Sequence, residues 1–222
     1  MCGRMTLTQP DLGRAAGELG ATVSQPELYR PRYNVAPTDQ HWIVVAGPEG
    51  RRIVPARWSF GPRSLINARS EALANAKRGA FKEALEKHRC IVIADGFFEW
   101  TGARDARRPI WYHRKDGGLL WIAGVWEPQA EGKPGFVVLT TDANDLVARV
   151  HDRMPVILDA DRVARWLEKA APEVLAPAPD DLLVAQPVSP RANSVKNDDP
   201  ACLDAPPEDA PRPAKPSQLR LV

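Results

Sequence analysis

The chain begins MCGRMTLTQ, and Cys2 becomes the N-terminal residue if the initiator Met1 is removed. Such a cysteine carries two nucleophiles, a thiol with a usual pKa of about 8.5 and an α-amine of about 7.7–8.0, so both are partly deprotonated near neutrality. Two chemistries suit that pair. A thiolate can attack a carbonyl with its own amine as base. Toward an aldehyde, the amine condenses to a Schiff base and the thiol closes a thiazolidine ring, a stable covalent adduct. A lone cysteine near a terminus is more commonly a small buried residue that does neither.

Four other stretches hold residues able to do chemistry. Glu99, in ADGFFEW (94–100), stands between Phe98 and Trp100 at the end of an apolar run. A carboxyl in that setting has a raised pKa, suited to proton transfer near pH 7; an outward-facing strand residue is the plainer alternative. In INARSEA (66–72), Asn67 and Arg69 precede a helical pattern with Ser70 as candidate N-cap, which suits an anion or simple capping. His151, in VHDRMPVIL (150–158), can hold or pass a proton before Arg153 and Pro155 turn the chain. Asn34, in RPRYNVAP (30–37), reads as an ordered turn. Trp100 can stack a base, although filling the core is the better expectation for most tryptophans here. His41, His88 and His113 lack comparable neighbours, and Cys2, Cys90 and Cys202 match no zinc or CxxC spacing. No metal-ligand cluster or phosphate loop is found, so neither metal nor cofactor is expected.

These residues need elements to hold them. Apolar, β-branched runs predict strands over 41–47, 51–60, 90–100, 109–115, 119–127 and 135–141. The turn signals GPEG and KDGG separate several of them, and KDGG predicts a hairpin. Helical spacing appears over 7–20, over 70–88 with a break at Gly79, over 142–151, and over 160–170 with Asp161 early and Lys169 late. Strands and helices do not alternate regularly. An α+β domain is therefore expected, built on antiparallel sheet.

Composition narrows the class. Hydrophobic residues make up 44% and charged residues 26% of 222, as in ordinary soluble globular chains. No apolar run is long enough to span a membrane, and the first residues lack a secretory core, so a reduced, cytoplasmic protein is expected. Residues 1–170 carry 25 Lys/Arg against 20 Asp/Glu, while 171–222 carry 5 against 8. That mild basic excess permits a nucleic-acid partner without demanding one. Half of the 22 prolines fall in the last 52 residues. One domain over residues 1–204 with a disordered proline-rich tail at 205–222 is the economical reading.

Together the motifs form one pattern. MCGR, RYNVAP, NARSE, ADGFFEW, HDRMP and PVSPRANSVKNDDP occur in order across about 200 residues. In these the chain resembles the SOS response-associated peptidase (SRAP) family of abasic-site processing proteins. The resemblance implies a compact α+β domain with a β-barrel-like core flanked by helices. It also implies an enzyme that binds abasic sites in single-stranded DNA and crosslinks to them through its N-terminal cysteine, shielding the lesion. Cys2 then matches the crosslinking residue, Asn67 the residue that orients it, Glu99 the acid–base and His151 the aid to sugar ring opening. Arg4, Arg69 and Arg153 match phosphate-holding positions, and Asn34, Trp58, Phe60 and Trp100 are further expected DNA contacts. Autoproteolytic removal of Met1 and lyase activity through the Schiff base are implied as well. After Trp58 the family usually reads Gly-Leu-Ile/Val-Pro, whereas SFGP (59–62) stands here, which bears on DNA-structure preference.

Two readings from other classes stand beside this one. A thiol peptidase acting on other proteins needs a peptide cleft, of which the sequence shows no sign. A non-covalent single-strand-binding module leaves Cys2, Asn67, Glu99 and His151 together unexplained. The crosslinking enzyme, acting as a monomer on abasic single-stranded DNA and on no membrane, is the expectation that uses all four.

Overall fold

The six long apolar runs become strands, joined by shorter ones that only the fold defines. The computed structural model describes residues 2–74, 80–103, 106–129, 132–169 and 171–207; the expected break at Gly79 and residues 208–222 of the expected tail lie outside them. In chain order, β1 (Met5–Leu7) leads to α1 (Gly13–Leu19), β2 (Ala21–Val23), β3 (Arg32–Val35), β4 (Gln40–Gly47) and β5 (Gly50–Arg57). Next come β6 (Asn67–Arg69), α2 (Ser70–Ala74), α3 (Ala80–Lys87), β7 (Arg89–Ala94), β8 (Gly96–Thr101) and β9 (Arg108–Arg114). The rest comprises β10 (Leu120–Pro128), β11 (Pro134–Asp142), α4 (Asp145–Ala148), β12 (Arg153–Pro155), β13 (Ile157–Leu158), α5 (Ala160–Glu168) and β14 (Leu183–Pro187).

Two mainly antiparallel sheets result, which makes the fold α+β. The smaller runs β14-β9-β8-β1-β3, and the larger runs β12-β11-β10-β7-β4-β5-β2 with β6 and β13 attached to β11 and β10. A single bridge between Gly135 of β11 and Arg57 of β5 returns the larger sheet on itself. The core is thus barrel-like without being a strict barrel.

Period-two alternation explains why the central strands are apolar throughout. In β7, Ile91 and Ile93 face the helices, packing with Leu12, Leu19, Val163 and Trp166. Cys90, Val92 and Ala94 face the smaller sheet, packing with Met5, Phe97 and Tyr112. Strands covered on both sides need no polar face.

Four expectations are corrected. The run 90–100 is two strands, because the chain leaves one sheet at Ala94 and enters the other at Gly96. Gly96 is required there, since a Cβ would sit 2.0 Å from the Trp111 ring nitrogen. KDGG makes no hairpin, because β9 and β10 belong to different sheets; GPEG does, pairing Gly47 with Gly50. The run 51–60 ends as a strand at Arg57, after which the Trp58 N–H bonds the Asp39 carbonyl. Helix is also shorter than the spacing predicts: 7–20 yields a strand end and α1, and 142–151 yields only α4, capped by Asn144. The helix expected over 160–170 is α5, with Asp161 in its first turn as expected and Asp159 as its cap, whose side chain accepts from the Arg162 N–H.

Candidate active site at the amino terminus

The segment carrying Cys2 runs directly into β1. β1 lies between β3 and β8, with Met5 opposite both Val35 and Phe97. Buried Asp95 anchors it further, accepting from the Thr6 hydroxyl at 2.6 Å and from the Thr8 N–H and hydroxyl at 2.5 and 2.7 Å. Ahead of β1, the Arg4 carbonyl accepts from the Phe98 N–H at 3.1 Å. The Cys2 carbonyl accepts from Asn67 Nδ2 at 2.7 Å. Asn67 is aimed by β6, which runs parallel to β11 with Asn67 beside Val138. Its Oδ1 is buried and without a hydrogen-bond partner among the described residues.

Electrostatics ties the remaining groups to Cys2. The thiol is fully buried, and burial first, then the Glu99 charge, pushes it well above the usual range. Glu99 is buried on β8, opposite Ile110 of β9. Burial pushes its carboxyl up to about 7, against the positive charge of the chain's amino terminus, with Asp152 adding to the rise. His151 is lowered by burial, then by that same amino-terminal charge, with Asp152 opposing. Its Nδ1 accepts from the Arg153 N–H at 3.0 Å and lies 2.8 Å from Asp152 Oδ1. One ring nitrogen cannot accept the first bond and donate the second. The main-chain bond needs a bare Nδ1 and the Asp152 contact a protonated one, so the two belong to different protonation states of the ring. Cys2, Asn67, Glu99 and His151 therefore converge around the amino terminus.

The expected DNA contacts divide. Arg69 is exposed, just ahead of α2; Ser70 is the first residue of that helix and not its cap. Arg4 and Trp100 are half-buried neighbours: the guanidinium lies 5.5 Å from the ring centre and donates to Asn34 Oδ1 at 2.7 Å and the Ala192 carbonyl at 3.0 Å. The other four point inward, and the sequence expectation of a DNA-facing group is corrected for each. Asn34 is fully buried and donates to the carbonyls of Ala192, Ser194 and Asn197, clamping that segment. Trp58 is buried on Phe136, rings stacked 6.2 Å apart, and donates to the Ile66 carbonyl. Phe60, the aromatic of the departing SFGP, is buried against Phe81 at 4.8 Å. Arg153 is buried, its Nη atoms holding both Glu71 oxygens at 2.8 and 2.9 Å, Asp142 at 2.6 Å and the Thr140 carbonyl at 2.7 Å.

Sequence reading missed Tyr112 and Arg149. Burial first, then the charge of Glu99, pushes the Tyr112 hydroxyl up to about 12, and Arg149 opposes that rise. The signal was there in part: a strand opposite ADGFFEW must place alternate residues over the Glu99 face, but the pairing register is invisible in one sequence.

Comparison with known proteins agrees with this arrangement. The chain is 31% identical to abasic site processing protein YoqW of Bacillus subtilis (strain 168), over 92% of this chain and 100% of that protein. It is 29% identical to abasic site processing protein YedK of Escherichia coli (strain K12), over 89% and 96%. A solved protein of Bacteroides thetaiotaomicron shares the fold, with a TM-score of 0.78 at 20% identity over 92% of this chain and 99% of that one. The family model for SOS response associated peptidase (SRAP) matches residues 1–195. An amino-terminal cysteine held by an asparagine beside a buried carboxyl, in a chain matched over most of its length, makes this protein a member of the SRAP family.

Proposed function

We propose that the protein traps abasic sites in single-stranded DNA through Cys2, once Met1 has been removed, and holds them as a thiazolidine. The observation that carries this reading is the grip of Asn67 on the Cys2 main chain beside a buried carboxyl with a pKa of about 7. Relatives named for abasic-site processing support it.

The chemistry follows from those groups. Opening the abasic sugar moves a proton from the C1′ hydroxyl to O4′ by way of the Glu99 carboxylate, with the His151 Nε2–H hydrogen-bonded to the leaving oxygen, and Glu99 then takes a proton from the Cys2 ammonium. The Cys2 amine adds to the aldehyde. Glu99 then protonates the carbinolamine hydroxyl, which leaves as water to give an iminium. The same carboxylate takes the thiol proton as sulfur attacks that carbon. One water is lost overall, with no oxidant or reductant. A carboxyl near pKa 7 can do both proton transfers.

The order of events matters. The thiol resists ionisation, by burial first and by the Glu99 charge second, so the amine reacts before the sulfur. A thiol peptidase needs a thiolate in its first step, which the same surroundings oppose. Arg4 and Arg69 are the basic side chains of the expected set left to meet phosphates, and the working unit is a monomer over residues 1–204.

Intact-protein mass spectrometry tests this reading. Chain whose N-terminus is confirmed as Cys2 is mixed with a uracil-containing single strand treated with uracil glycosylase. A denaturation-resistant adduct, one water lighter than protein plus DNA, is expected. Cys2→Ala should give no adduct yet keep salt-sensitive DNA binding. No adduct from the mature wild type, or a full yield from Cys2→Ala, ends the proposal.

A further inference from the structure

We propose that Tyr112 is a positioning residue for proton transfer at Glu99, a near neighbour whose hydroxyl donates to the Glu99 carboxylate once that group has given up its proton. The inference deepens the abasic-site reading and rests on it for its role in the reaction.

Register places the two residues together. β8 and β9 are antiparallel, with Phe97 opposite Tyr112 and Glu99 opposite Ile110. Residues two apart on a strand share a face, so Glu99 and Tyr112 are diagonal neighbours on the face turned to the larger sheet. Diagonal positions lie roughly 7–8 Å apart at Cα, within reach of long side chains. The Tyr112 ring stacks on Phe97 with centroids 5.1 Å apart and planes 13° apart, which fixes where the hydroxyl goes.

That hydroxyl is one of a few buried polar groups that lack a partner among the described residues, with His41 Nδ1, Asn67 Oδ1, Arg108 Nη1 and Arg153 Nε. It is fully buried and has no hydrogen-bond partner among the described residues. Three tryptophan N–H groups are matched: Trp58 donates to the Ile66 carbonyl, Trp111 to the Thr6 hydroxyl and Trp166 to the Cys90 carbonyl. A buried unmatched hydroxyl destabilises a fold, and a phenylalanine here would keep the stack without that penalty. The charges felt by the hydroxyl are Glu99 on β8 and Arg149 at the end of α4, the loop that leads to His151. Around Glu99 stand Cys2, the amino terminus and Asp152. Glu99 must alternate between acid and carboxylate during condensation. A hydroxyl facing it favours the carboxylate and keeps its pKa near neutrality against the desolvation that drives it up.

Tyr112→Phe tests this by two readouts. The first titrates 13C-labelled glutamate carboxyls by NMR without DNA: the Glu99 midpoint should rise by about one pH unit on loss of the donor. Assignment comes from Glu99→Gln. The second is the pH dependence of adduct formation. Its acid limb should move up by the same interval, with roughly tenfold slower capture at pH 6 and little change at pH 9. In a Glu99→Gln background the Tyr112→Phe effect should vanish. A purely structural Tyr112 would scale the rate equally at every pH and leave the carboxyl midpoint in place, and either result overturns the proposal. If the variant fails to fold, Tyr112→4-fluorophenylalanine retains the ring edge and must give the same shift. Absence of adduct from the wild type would sink the abasic-site reading alone, since the carboxyl titration reads the Tyr112–Glu99 pair without DNA.

Discussion

Glu99 is a residue whose burial works against the fold above neutral pH. Its carboxyl rises from the usual 4.5 to about 7, so the folded chain holds that proton more tightly than the unfolded chain does. Stability therefore falls as pH rises from about 4.5 to about 7 and stays at the lower level above that. The change corresponds to roughly 3 kcal/mol at most. Glu99→Gln removes the ionisation, so its melting temperature should gain on the wild type between pH 5 and pH 8. Thermal unfolding at those two pH values checks this, and a constant difference would contradict it. The rise was legible in ADGFFEW, because apolar neighbours on a strand imply desolvation. What Arg153 does was not. An arginine in HDRMP reads as a phosphate ligand, and the Glu71 that engages it lies 82 residues away in sequence. Residue type is written in the chain; the face it turns to is set by partners that only the fold supplies.

At the scale of elements, Arg153 and Arg69 show two uses of one residue type. Arg153 joins β12, β11 and α2 through Asp142, Thr140 and Glu71. Arg69 sits exposed on β6, whose strand pairing also aims Asn67. Arg153→Ala removes a clamp whose own side chain is 6% exposed, while its partners Glu71 and Asp142, at 53% and 81%, can return to water. A loss of about 1–3 kcal/mol is expected, below that for a wholly buried pair. Arg69→Ala should change stability by no more than about 0.5 kcal/mol and reduce the salt slope of DNA binding by about one. Calorimetry with fluorescence anisotropy across a salt series separates the two; a reduced slope for Arg153→Ala with unchanged stability would reverse the assignment. The strands behind these residues were largely legible from apolar runs, and their pairing was not. One continuous run covers 90–100, yet it feeds two sheets, and KDGG has hairpin composition between strands that never pair. Local composition reports that a turn occurs. Which strand lies beyond it depends on the burial of whole faces.

The whole molecule is held by a face that neither sheet can bury alone. Met5, Phe97 and Tyr112 of the smaller sheet pack with Ile43, Val92, Ile122 and Val138 of the larger. Exposing one side exposes the other, so the sheets must separate in a single cooperative step. The cysteines report on this without any added probe. Cys2 and Cys90 lie in the shared cluster, whereas Cys202 lies in a smaller one beneath Phe98, Val188 and Ala192 on the other face of the smaller sheet. That outer layer is fastened mainly by side chains: Arg4 and Asn34 bond the carbonyls of Ala192, Ser194 and Asn197, Asp198 binds Arg32 and the N–H groups of Tyr33 and Asn34, and Asn193 bonds Trp100 and the Arg107 carbonyl. Thin layers with small cores open below the global transition. Alkylation along a urea series, read by peptide mass spectrometry, should label Cys202 first. Cys2 and Cys90 should follow together, at the midpoint given by tryptophan fluorescence. Labelling of Cys2 well ahead of Cys90 would mean that β1 peels away while the larger sheet stays folded, and the shared face would then not be what keeps the nucleophile covered.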